Sequence, residues 1–133
     1  MGVVINEKRE GENVTYTHLI SLTYETNKEK RSFSGTVFGN SHARIVQIYG
    51  YPLEINPEGH LLIYTNIDKP GMLASVGSIL AAENINIAGL SLGRDNPGQK
   101  ALTIINIDSP ISSEILRKLE KIEGVLEVRA VKL

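Results

Sequence analysis

The chain has 133 residues, of which 41% are hydrophobic, enough for one ordinary domain or two small ones around packed cores. Fourteen basic residues against fifteen acidic ones leave a net charge of -1 with no Lys/Arg block, which argues against nucleic-acid binding. The lack of cysteine removes disulfides and thiolate metal sites and fits a cytoplasmic protein, and the absence of a membrane-length apolar run or a signal-peptide pattern argues against a membrane.

The opening Met1-Gly2-Val3-Val4-Ile5-Asn6 runs almost directly into a strand-like segment with no lead-in, which points to an expression fragment with any catalytic part upstream. Residues 1 to about 56 then read as strand after strand: Val3 to Ile5, Tyr16 to Thr26, Arg31 to Phe38, Ala43 to Ile48 and Tyr51 to Ile55. Asn27-Lys28-Glu29-Lys30, Gly39-Asn40-Ser41 and Tyr49-Gly50 supply the turns. Within the second strand His18, Ile20, Leu22 and Tyr24 face one way and Thr17, Leu19, Ser21 and Thr23 the other. An antiparallel sheet without a helix of its own is expected, and its cover must come from an upstream helix or a second copy.

From His60 the pattern changes. Leu61 to Asn66 reads as a strand, and Pro70-Gly71 opens a helix with Met72, Leu73, Val76, Ile79 and Leu80 at helical spacing. Ile85 to Leu92 is a second strand, Gly93 to Gly98 a polar turn, and Ala101 to Ile107 a third strand. Ser112 or Ser113 caps a second helix with the stripe Ile115, Leu116, Leu119 and Ile122, ended by Gly124, and Val125 to Val131 is the last strand. The fold class is therefore α+β, an N-terminal antiparallel sheet followed by a ferredoxin-like βαββαβ domain. Asn66-Ile67-Asp68-Lys69-Pro70 recurs as Asn106-Ile107-Asp108-Ser109-Pro110, which also reads as plain strand-to-helix turn chemistry.

Catalytic signatures are lacking: His18, His42 and His60 have no metal-ligand spacing, no Gly-x-Gly-x-x-Gly follows a strand, and no nucleophile has a base partner in sequence. The most informative group is Asn66, Asp68, Pro70-Gly71 and Asn86-Ile87. A free amino acid needs donors for its carboxylate, which the first-turn amides of Met72 and Leu73 offer, and acceptors for its ammonium, which Asp68 and the asparagine carbonyls offer. A bare Gly71 lets a ligand approach the backbone. The same residues also have plain structural roles: Asp68 steadying the helix start, Asn86 making a turn after Glu83-Asn84, Gly71 relieving crowding.

His60 to Gly71, with Val76-Gly77 and Asn84 to Gly89, resembles the ACT domain, a family of amino-acid-sensing modules. Upstream, Ser34 to Gly39, Arg44 to Val46, Gly50-Tyr51 and Pro57 to His60 resemble the intervening, or allosteric-substrate-binding, domain of long-form D-3-phosphoglycerate dehydrogenases. Gly93-Arg94-Asp95 and Val125 to Leu133 continue the likeness, so it covers essentially the whole chain. The resemblance implies that residues 1–58 belong to the intervening domain and residues 59–133 to the ACT domain. It also implies a regulatory piece with no catalytic residue, metal or cofactor of its own, acting on upstream catalytic domains of the same polypeptide that use NAD.

In the family, side-by-side ACT domains pair their edge strands into a homodimer or tetramer with L-serine between them. By resemblance, Asn66, Asp68, Gly71, Met72 and Leu73 come from one subunit, and Asn86 and Ile87 from the other. Arg44, with His42 beside it, matches a basic position associated with an anion effector, but the second such position falls near Asn56, and Arg44 also reads as an ordinary solvated charge. The β subunit of the iron–sulfur L-serine dehydratases joins the same two domains and is the alternative within the resemblance. A ligand-free dimerisation module is the alternative from another class.

Overall fold

Strand-forming and turn residues alternate through the first part of the chain, and in the computed structural model they build an antiparallel meander. The structure describes the backbone of residues 2–9, 18–39 and 41–133, and the side chains of residues 19–39 and 41–133. The chain divides into two units, Met1–Pro57 and Glu58–Leu133.

In the first unit β1 (Gly2–Arg9), β2 (His18–Glu25), β3 (Lys30–Phe38), β4 (His42–Ile48) and β5 (Tyr51–Ile55) lie in the sheet order β1-β2-β3-β4-β5. β1 is longer than the apolar run Val3 to Ile5 suggests, because its polar second half pairs on to Arg9 opposite His18. Tyr16, Thr17 and Asn40, placed by the sequence in a strand and a turn, lie outside the described residues. The β2–β3 hairpin is closed by Thr26, whose N–H donates to the Glu29 carbonyl at 2.8 Å while its Oγ1 accepts from the Lys28 and Glu29 amides. Pairing of Ile20 with Gly35 and Leu22 with Phe33 sets these residues on one face. With Val37, Ala43, Ile45 and Pro57 they line an apolar groove of about 390 Å³.

The second unit runs β6 (His60–Ile67), α1 (Met72–Ala82), β7 (Ile87–Arg94), β8 (Lys100–Ile107), α2 (Ser113–Glu120) and β9 (Val125–Lys132), the expected βαββαβ order. Its antiparallel sheet has the order β7-β8-β6-β9, which leaves β7 and β9 as edges. Leu62, Tyr64, Ile105 and Ile107 from the sheet pack with Met72, Val76 and Leu80 of α1 and Ile115 and Leu119 of α2. The helical spacing thus finds the core, with one exception: Leu73 lies at the end of the stripe and is 43% exposed. Ser112 is the cap of α2, its Oγ accepting from the Ile115 amide at 3.3 Å.

The second strand of this unit starts and ends two residues later than the apolar run indicates. Ile85 is pulled back to the helix, its N–H donating to the Leu80 carbonyl at 2.9 Å and its side chain entering the core. At the far end Gly93 and Arg94 continue the ladder opposite Leu102 and Ala101 rather than forming a turn.

Candidate functional site

β6 delivers Asn66 to one end of the sheet, and residues 68–71 then lead into α1. Asn66 is 3% exposed; its Nδ2 donates to the Ile67 carbonyl at 2.8 Å, while its Oδ1 is buried without a hydrogen-bond partner among the described residues. Such an oxygen costs on the order of 1–3 kcal/mol, which a ligand N–H would recover. Asp68 is fixed through its backbone N–H, which donates to the Gln99 carbonyl at 2.6 Å.

Gly71 caps α1 at φ 87°, a left-handed conformation that favours glycine. A Cβ built there would meet nothing within 4 Å, so backbone conformation and not crowding calls for the glycine, and the space beside it is open. No side chain caps this helix and its first turn holds no acidic residue. The first-turn amides, with the positive end of the helix dipole behind them, are thus suited to an anion. Met72 anchors the turn in the core, whereas Leu73 is exposed beside it.

Asn86 stands at the opposite end of the sheet. Its Nδ2 donates to Asp108 Oδ2 at 2.9 Å, and the Asp108 N–H donates back to the Asn86 carbonyl at 3.2 Å, which fixes the side-chain amide. Ile87 opens β7 next to it, 38% exposed. Across the sheet Asn66 is level with Ala101 and Arg94, while His60 is level with Ile107 and Ile87. The two groups of predicted residues are therefore separated by the length of β7 from Ile87 to Arg94, about 24 Å at ~3.4 Å per residue. One chain brings Asn66, Asp68, Gly71, Met72 and Leu73 together and holds Asn86 and Ile87 apart from them.

Two further residues belong to these clusters and were not singled out by sequence. Arg94 donates from Nη1 to Asp68 Oδ2 at 3.0 Å, the arginine side chain 53% exposed and the aspartate 20%. Asp108 is the partner of Asn86, and the one signal for it is the recurrence of Asn-Ile-Asp-x-Pro. In the first unit His42 and Arg44 lie on β4; Arg44 donates to the Ala43 carbonyl at 2.7 Å and sits 3.8 Å from the Glu54 carboxylate, a partner of the sign opposite to an anion seat. Among the described residues no helix is long and apolar enough to cross a membrane.

Comparison with known proteins gives two domain matches: residues 1–49 to the D-3-phosphoglycerate dehydrogenase intervening domain and residues 60–124 to the ACT domain. The D-3-phosphoglycerate dehydrogenase of Archaeoglobus fulgidus is 34% identical over 134 residues, 99% of this chain and 25% of the relative. That of Methanocaldococcus jannaschii is 32% identical over 118 residues, 89% of this chain and 22% of the relative. A probable L-serine dehydratase beta chain of Bacillus subtilis is 25% identical over 130 residues, 98% of this chain and 59% of the relative. The chain spans about a quarter of the length of the dehydrogenases it matches. The chain thus carries a match to the D-3-phosphoglycerate dehydrogenase intervening domain followed by a match to the ACT domain, and it is similar to these dehydrogenases over nearly all of its own length.

Proposed function

We propose that this chain is the amino-acid-sensing regulatory region of a D-3-phosphoglycerate dehydrogenase, and that it binds L-serine between two ACT domains paired through β7. The supporting observation is the placement of the two residue groups at opposite ends of an edge strand. Antiparallel pairing of β7 with its symmetry copy about a two-fold axis between Leu90 and Ser91 would set Ile87 of one chain beside Arg94 of the other and bring Asn86 of the second chain toward Asp68 of the first. β7 also carries Ile87, Leu90 and Leu92, each more than a third exposed, which pairing would cover.

In such a site the ligand ammonium takes Asp68 Oδ2 and the buried Asn66 Oδ1, the carboxylate takes the first-turn amides of α1, and Asn86 of the second chain closes over it. Serine stabilises one placement of the paired domains, and the NAD-dependent catalytic domains of the same polypeptide, outside this sequence, respond through linkage. Calorimetric titration of the 133-residue chain with L-serine tests this. Saturable heat and a raised unfolding temperature are expected; no heat and no thermal shift at millimolar serine would refute the sensor and leave a dimerisation module.

A further inference from the structure

Arg94, Ala101 and Asn66 oppose one another in register across β7, β8 and β6, so all three share one face of the sheet. From this position the guanidinium of Arg94 reaches Asp68, on the turn just beyond Asn66. The bond is a single N–H···O contact from Nη1 and not a bidentate fork, and it lies partly in solvent. Partly exposed single-contact pairs of this kind are weak and exchange readily.

We infer that Arg94 sets the chemical class of ligand this site accepts, through an exchange of ion pairs. The inference rests on the amino-acid site proposed above. An incoming ammonium must displace the guanidinium from Asp68. An amine alone leaves Arg94 without its counter-ion, and a carboxylate that draws Arg94 away leaves Asp68 without its cation. Only a molecule carrying both charges a few ångströms apart replaces one internal ion pair by two, ammonium to Asp68 and carboxylate to Arg94. The α1 amides then receive the same carboxylate from its other side. The site thereby selects free α-amino acids and rejects both amines and hydroxy acids, although it offers an acid and a base that could bind each alone.

The test compares L-serine with ethanolamine, which lacks the carboxylate, and with glycerate, which has hydroxyl in place of ammonium. Each is titrated by calorimetry against the wild-type chain, Arg94→Ala and Arg94→Lys. In the wild type both analogues bind at least about tenfold more weakly than serine. In Arg94→Ala serine weakens by about tenfold or more while ethanolamine does not weaken, so the preference for serine over ethanolamine collapses. Arg94→Lys keeps that preference. Arg94→Gln, uncharged and of similar reach, carries the same readout if the alanine variant does not fold. A preference that survives removal of the charge overturns the role of Arg94 and leaves the serine site standing. A wild-type chain that binds no amino acid overturns both.

Discussion

The proposed division of the site between chains gives a prediction of number as well as direction. Asp68→Ala removes a charge-assisted hydrogen bond of about 1.5–3 kcal/mol, which weakens serine binding by roughly 10- to 100-fold. Asn86→Ala removes a neutral contact and weakens it less, on the order of 0.5–1.5 kcal/mol. In a two-fold dimer of one Asp68→Ala chain and one Asn86→Ala chain, one site carries both lesions and the other carries neither. Equal mixing, by co-refolding, makes about half of the dimers mixed, so about a quarter of all sites regain wild-type affinity. Within one chain the two residues stand about 24 Å apart along β7, whereas a single amino acid spans only about 4 Å. Titration calorimetry reads both the affinity and the number of tight sites, and differently tagged chains confirm that mixed dimers formed. If the mixed dimers are present and no tight sites return, the ligand does not bridge the chains and the β7 pairing argument fails.

Two other predictions bear on single residues. Asn66→Leu removes a buried oxygen that has no partner among the described residues together with one short hydrogen bond, so chemical denaturation should give an unfolding free energy within about 1 kcal/mol of wild type, while serine affinity falls at least about tenfold. Burial pushes the Tyr64 phenol above its ordinary 10.0, against a smaller opposite pull from its hydrogen bond with Thr103. The folded state therefore holds this proton more tightly than the unfolded state. The associated stability is present below pH 10 and is lost as the pH rises through the folded value. Urea denaturation of wild type and Tyr64→Phe between pH 8 and 11 should show a stability difference that is constant up to about pH 10 and then moves against the wild type. A difference independent of pH would refute this.

Periodicity makes the second unit legible because its helices are amphipathic. Val76, Ile79 and Leu80 on α1, and Ile115, Leu116 and Leu119 on α2, combine i, i+3 with i, i+4 spacings, which a helix turns to one face and a strand does not, and all six lie in the core or pack against it. The ends of β7 are less legible. Ile85 belongs to the core but is held by the preceding helix, and Gly93-Arg94 looks like a turn although its backbone completes the ladder. The side-chain partners are beyond local pattern altogether. Arg94 is 26 residues from Asp68 in sequence, and the bond exists because the sheet lays Arg94 level with the end of β6. Asp68, Asn86 and the glycine helix start are recognisable because their residue types already imply acceptors and donors; the distance between the two groups in one chain follows only from sheet order. The paired Asn-Ile-Asp-x-Pro segments do serve as strand-to-helix turns, and each aspartate also accepts a side-chain bond from one end of the β7 segment.

Those two bonds pin an exposed edge. Asp68 holds Arg94 at the end of β7 and Asp108 holds Asn86 just ahead of its start. A slip of one residue would break both ties and turn Leu90 and Leu92 to the other face of the sheet. Open edge strands invite staggered pairing and runaway stacking of chain on chain. Kept in one register on β8, β7 presents a neighbour with a single pattern of exposed side chains and backbone groups.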